Sequence, residues 1–250
     1  MQHNQMLHAA SALPAAYNPL PAAHNPLPAT HALTTPQEHY AIRTNANLQI
    51  SATLEDVNKS SNNEFPTLLG NSQLPGPMCM KKLSQLGVFN QLSTQSGYTQ
   101  SLALSTKGRG KIISNLIPEE SIVCSFTAAW VWLGGTFPVN IDIINYSNCR
   151  RKPHDHAIRS FRRQLSDEDY VVIGDVRVTT PERTICDLAY TPCENEYYEP
   201  YRKSVAHSLI ERYCIDLNNC IRILNANPYF PGSVRAREWI HHLKEEMRTT

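Results

Sequence analysis

Apolar residues first recur at regular spacing near Met80; the chain before it keeps neither a helical nor a strand period. In KKLSQLGVFNQLSTQSGYT, from Lys81, a short amphipathic piece ends at Gly87, and Val88, Phe89 and Leu92 followed by Gly97 and Tyr98 predict a small hairpin. Ile112, Ile113, Leu116 and Ile117 then stand at helical spacing up to Pro118. Phe126, Ala129, Trp130 and Leu133 repeat as i, i+3, i+4, i+7, with Ser125 as the cap and Gly134 as the stop. From Phe137 to Thr179 the period shortens to two. Val139, Ile141 and Ile143 alternate with Asn140 and Asp142, HAIRSFR from His156 is a weaker strand, and DYVVI and VRVT meet through Gly174 and Asp175, a hairpin turn in which glycine supplies the positive φ. This predicts an antiparallel sheet of about three or four strands. Helical spacing returns over residues 181–190, 200–213, 217–224 and 234–247. Helices, then sheet, then helices predict an α+β fold, a small antiparallel sheet packed with helices.

The first part of the chain changes that picture only by adding a tail. Residues 15–28 hold a tandem unit, AAYNPLP then AAHNPLP, whose prolines remove helix donors and favour polyproline II. Residues 29–76 stay rich in Asn, Thr, Ser, Gln and Pro, so residues 1–76 are expected to form a disordered, low-complexity tail. Charge adds little: 23 Lys plus Arg against 22 Asp plus Glu leave no overall field that draws the molecule to nucleic acid or to an acidic membrane. The longest uncharged apolar run, SIVCSFTAAWVWLGG from Ser121, is too short to span a bilayer, and Met1 to Leu7 lacks the order of a secretion signal. The expectation is a cytoplasmic protein with no membrane partner. Seven cysteines, scattered and never in a Cys-x-x-Cys pair, predict reduced thiols rather than a disulfide framework.

Candidate chemistry is local. The densest basic stretch, NCRRKPHDHAIRSFRR, sets Arg150, Arg151, Lys152, Arg159, Arg162 and Arg163 against Asp142 and Asp155 nearby, a stripe suited to phosphates or to an acidic partner as well as an ordinary solvated surface. Lys107, Arg109 and Lys111 in TKGRGK form a second, smaller basic loop without P-loop spacing. Cys149, His154 and His156 match no recurring zinc module, His241 and His242 point apart on a helix, and neither a metal nor another cofactor is expected. No nucleophile elbow, His-Glu-x-x-His or Gly-x-Gly-x-x-Gly occurs, so no enzyme activity and no small-molecule substrate are expected. The segments 200–213 and 217–224 have helix-turn-helix proportions, with Asn218, Asn219 and Arg222 on the polar side, but read first as a packing hairpin over the sheet.

The segment DVRVTTPERTICDLA, Asp175 to Ala189, passes from strand to helix. Thr179 and Thr180 offer a cap, Pro181 suits the first helical position, and Glu182 suits the positive end of the dipole. Arg183 and Asp187, four apart, fall opposite the apolar face of Ile185, Leu188 and Ala189, where they read as a structural brace or a docking pair. This segment, with TAAWVWLGG before it and PGSVRAREWI after it, resembles the AbiEi-type antitoxin and transcriptional-regulator family of type IV toxin–antitoxin systems. Thr180, Pro181, Arg183, Thr184 and Asp187 carry the match to its Thr-Ser-Pro-x-Arg-Thr-x-x-Asp-Leu-Ala signature. The resemblance covers about residues 80–247. It implies a DNA-binding winged helix-turn-helix, here a degenerate remnant over residues 77–106, and an α+β domain over 107–250 that binds a nucleotidyltransferase-like toxin. It also implies repression of the cognate operon, with DNA as a second partner. The wing lacks arginine, and no endonuclease-like C-terminal domain is expected. Two alternatives stay open: a cryptic nuclease relative, in which Asp142, Asp155, Glu168 or Asp169 would gather around magnesium, and a decayed structural interaction protein.

Overall fold

The computed structural model describes residues 66–75, 77–146, 152–191 and 198–249. Its first unit consists of strand β1 (Leu69–Gly70), helix α1 (Pro77–Gln85), and strands β2 (Phe89–Ser93) and β3 (Ser96–Thr99). The strands pair antiparallel in the order β1–β3–β2. Met80 seats α1 against β2, and Gly87 turns the chain between them at φ +69. Glycine is also required at 97, because a Cβ there would overlap the Asn90 carbonyl and the Phe89 ring across the hairpin. The pairing of Leu69–Gly70 corrects the expectation that the tail runs to residue 76. The AAxNPLP repeat lies outside the described residues.

A short helix α2 (Gln100–Ala103) leads to α3 (Thr106–Ser114). TKGRGK is therefore helical, not a loop: Ser105 caps it by accepting from the Gly108 N–H at 2.9 Å. The two glycines, which argue against a helix on propensity, are there for packing. A Cβ on Gly108 would overlap the Leu102 carbonyl, and one on Gly110 the Ile173 carbonyl.

The body contains β4 (Ile122–Val123), α4 (Ser125–Leu133), β5 (Asn140–Ile144), β6 (Ala157–Phe161), β7 (Tyr170–Ile173) and β8 (Val176–Thr179). These strands form one five-stranded sheet, β6–β5–β4–β8–β7. The fold is α+β, but this sheet is mixed where an antiparallel one was expected: β5 runs parallel to β6 and β4 parallel to β8. The stretch from Asn145 to His156 between β5 and β6 is too long for a tight hairpin and long enough for a crossover. β4 escapes a reading of alternation because only two residues pair.

Four helices follow: α5 (Pro181–Tyr190), α6 (Tyr198–Tyr213), α7 (Leu217–Ala226) and α8 (Ser233–Thr249). α4 lies on the sheet with α5 beside it, and α6, α7 and α8 close over α5. The α6–α7 pair consequently covers α5 rather than the sheet. Every residue of α5 from Arg183 to Tyr190 is buried, which overturns the expectation of a polar outer face for Arg183 and Asp187. Ser125, expected as a cap, is instead the first residue of α4 at φ +50, and its hydroxyl meets that of Thr191 at 2.9 Å. Among the described residues, no helix is long and apolar enough to cross a membrane.

Candidate functional site

The signature segment closes a buried charge cluster. Thr180 caps α5 by accepting from the Arg183 N–H at 3.3 Å, with Pro181 at the first position and Glu182 in the first turn. Asp187, fully buried, accepts at Oδ1 from Arg183 Nε at 3.2 Å and from Arg163 Nη1. Arg183 also faces Asp169 at 3.8 Å. Burial draws the Arg183 pKa down, but Asp187 and Asp169 carry it above its usual value. The cluster ties the loop after β6 and the turn before β7 to the central helix. Neither side chain of the Arg183–Asp187 pair reaches the surface, so the pair is a brace and offers no docking contact.

A second buried carboxylate, Asp142, binds Arg159 through both oxygens at 2.7 and 3.0 Å, across the β5–β6 register. Burial raises its pKa despite the arginine and despite hydrogen bonds from Phe126 and Ser125 at the start of α4. Cys124 is buried near these charges, and burial pushes its thiol well above its ordinary pKa.

The basic residues separate accordingly. Arg109 is buried and donates to the carbonyls of Val131 at 2.8 Å, Ala103 at 2.7 Å, Leu104 at 3.2 Å and Trp132 at 3.3 Å, and to Thr106 Oγ1 at 3.1 Å. Burial lowers its pKa to about 10, while these acceptors clamp the ends of α2 and α4 around it. Arg109 is thus committed inside the fold, which corrects its reading as a phosphate contact, while Arg159 is half-buried against Asp142 and Arg163 is buried with Nη1 on Asp187. Lys152, Arg162 and Lys107 stay exposed, Lys111 is half-buried, and Arg150 and Arg151 lie outside the described residues.

His156 spends both ring nitrogens on backbone carbonyls, Val139 at 3.0 Å and Leu92 at 3.1 Å, which stitches β2 to the body. His154 bonds Ser96, and Cys149 lies outside the described residues. Among the described residues, no three His, Cys, Asp or Glu side chains gather in a metal-binding group.

Two features went unnoticed in the sequence. Met78, Lys81, Lys82 and Gln85 form the exposed stripe of α1 at i, i+3, i+4, i+7, opposite the buried Met80. The adjacent lysines that open the amphipathic piece were the available signal. The other feature is a cleft of about 840 Å³ between the end of β6 and the start of α8, lined by Arg162, Arg163, Tyr190, Tyr229, Phe230 and Arg235 among others. Its walls come from segments far apart in sequence. Compared with protein-family models, with curated proteins and with solved structures, the chain matches none.

Proposed function

We propose that the chain is a cytoplasmic, non-enzymatic, antitoxin-like regulator that contacts DNA through the β1–α1–β2–β3 unit and a nucleotidyltransferase-like toxin through the α+β body. The observation that carries the DNA half of this reading is the arrangement of that unit. A helix with an outward Lys81–Lys82 pair is followed directly by a two-stranded antiparallel ribbon, and a third strand, β1, pins the ribbon at β3. A helix of this kind fits the major groove, and exposed lysines with a neighbouring ribbon suit the phosphate backbone. Gln85 on the helix and Gln91 and Gln95 on the ribbon supply amides in place of the missing arginines. The burial of Arg109 and the pairing of Arg159 with Asp142 favour this unit over the basic stretches as the DNA contact surface.

Arg109 supports a rigid link between the two halves, because it joins α2, which leaves β3, to the C-terminal end of α4 in the body. Toxin binding through the body is carried by the resemblance of the Thr180–Asp187 signature. The test is fluorescence anisotropy of labelled duplex DNA at rising salt. The parent should bind with an affinity that falls steeply with salt, by a logarithmic slope of roughly −0.9 per phosphate neutralised. Replacing Lys81→Glu and Lys82→Glu together should abolish that binding while leaving the melting temperature unchanged. Equal binding by the parent and the double variant would remove α1 from the interface.

A further inference from the structure

We infer that the cleft between β6 and α8 binds a nucleoside phosphate. Arg163 is the first observation. The residue is only 6% exposed and lines the cleft, and its guanidinium sits 4.9 Å from the centres of both the Phe161 and Tyr190 rings. Among the described residues, Nη1 is its one nitrogen with a hydrogen-bond acceptor, Asp187. Ring stacking and Asp187 fix the plane of the guanidinium, and its remaining N–H groups are left to a ligand. A buried arginine held rigid with donors unspent is suited to an oxyanion.

The second observation is the opposite wall. Helix α8 begins there at Ser233, so the positive end of a 17-residue helix joins Arg163 at the cleft. The Ser233 hydroxyl is already held by Asn227 O at 2.9 Å and by the Tyr190 hydroxyl at 3.1 Å, which fixes the start of the helix against the cleft floor. Arg162 and Arg235 add exposed positive charge at the rim, against Glu238 as the acidic residue of the lining.

The third observation selects among anions. Phe230 packs edge-on against Tyr190 at 5.2 Å, and beside it Tyr229 is 97% exposed. An aromatic ring exposed almost wholly to water next to a cationic cleft offers a face on which a base can stack, with its phosphate toward Arg163 and the start of α8. Such a unit can be a free mononucleotide or the phosphorylated end of a strand. This site is separate from the α1 surface, so the two fail independently.

The test is isothermal titration calorimetry of the full chain with AMP, CMP, GMP and UMP, with a 5′-phosphorylated trinucleotide, and with inorganic phosphate and phosphoserine. Saturable binding of at least one mononucleotide or of the trinucleotide is expected, and which of the two binds tells a free ligand from a strand end. Arg235→Glu and Tyr229→Ala, both at exposed positions, should each weaken it by roughly tenfold or more. Phosphate or phosphoserine binding as tightly as the nucleotides, with Tyr229→Ala silent, would overturn the nucleoside assignment. Absence of binding by every probe would overturn the site itself.

Discussion

At Asp187 a single carboxylate holds two buried arginines, and its second oxygen, Oδ2, has no hydrogen-bond partner among the described residues. Replacing it leaves both cations buried without their counter-charge. Asp187→Ala is expected to cost about 3–5 kcal/mol, measured by urea unfolding. A loss within the range of a surface substitution would show that the cluster is not a brace. Tyr98 gives a pH-dependent counterpart. Burial raises its hydroxyl from the usual 10 to about 12, so its stabilising contribution is complete below pH 10 and is lost as pH climbs toward 12. Tyr98→Phe should therefore show a shallower fall of unfolding free energy between pH 10 and 11 than the parent. Sequence spacing placed Arg183 beside Asp187, because four residues make one helical turn. It could not place Arg163, which arrives from the loop after β6, 24 residues earlier, nor show that the surrounding elements would bury the pair.

The helices that carry an apolar face, α4 to α8, were legible because a period of three to four residues is a local property. What escaped was decided by distant partners. The two residues of β4 are a strand only because β5 and β8 flank them. The glycines of α3 disguised a helix because their purpose is close approach to Leu102 and Ile173. That purpose reverses an ordinary expectation. Glycine to alanine inside a helix normally stabilises by about 1 kcal/mol, yet Gly110→Ala should destabilise by about 1–3 kcal/mol through overpacking against the β7–β8 turn. Thermal unfolding reads the sign, and a raised melting temperature would contradict the packing of α3 on that hairpin.

Across the whole molecule, the charges add up to almost nothing, and function on this account depends on which few of them remain outward. The fold withdraws Arg109 and Arg163 into its interior, pairs the half-buried Arg159 with Asp142, and leaves the Lys81–Lys82 face of α1 and the Arg162–Arg235 rim outward. Among the described residues of the basic stripe, Arg163 is buried, Arg159 is half-buried on Asp142, and Lys152 and Arg162 are exposed. No count of residues along the chain could foresee this, since the withdrawn arginines differ from the exposed ones only in what lies across from them. The most direct measurement of the central claim is hydrogen–deuterium exchange of the full chain with and without duplex DNA. Slowed exchange over Pro77–Ser93 and the ribbon turn at Thr94–Gln95, with α5 unchanged, is the predicted result. Protection confined to Lys152–Arg163, or none anywhere at saturating DNA, would contradict it.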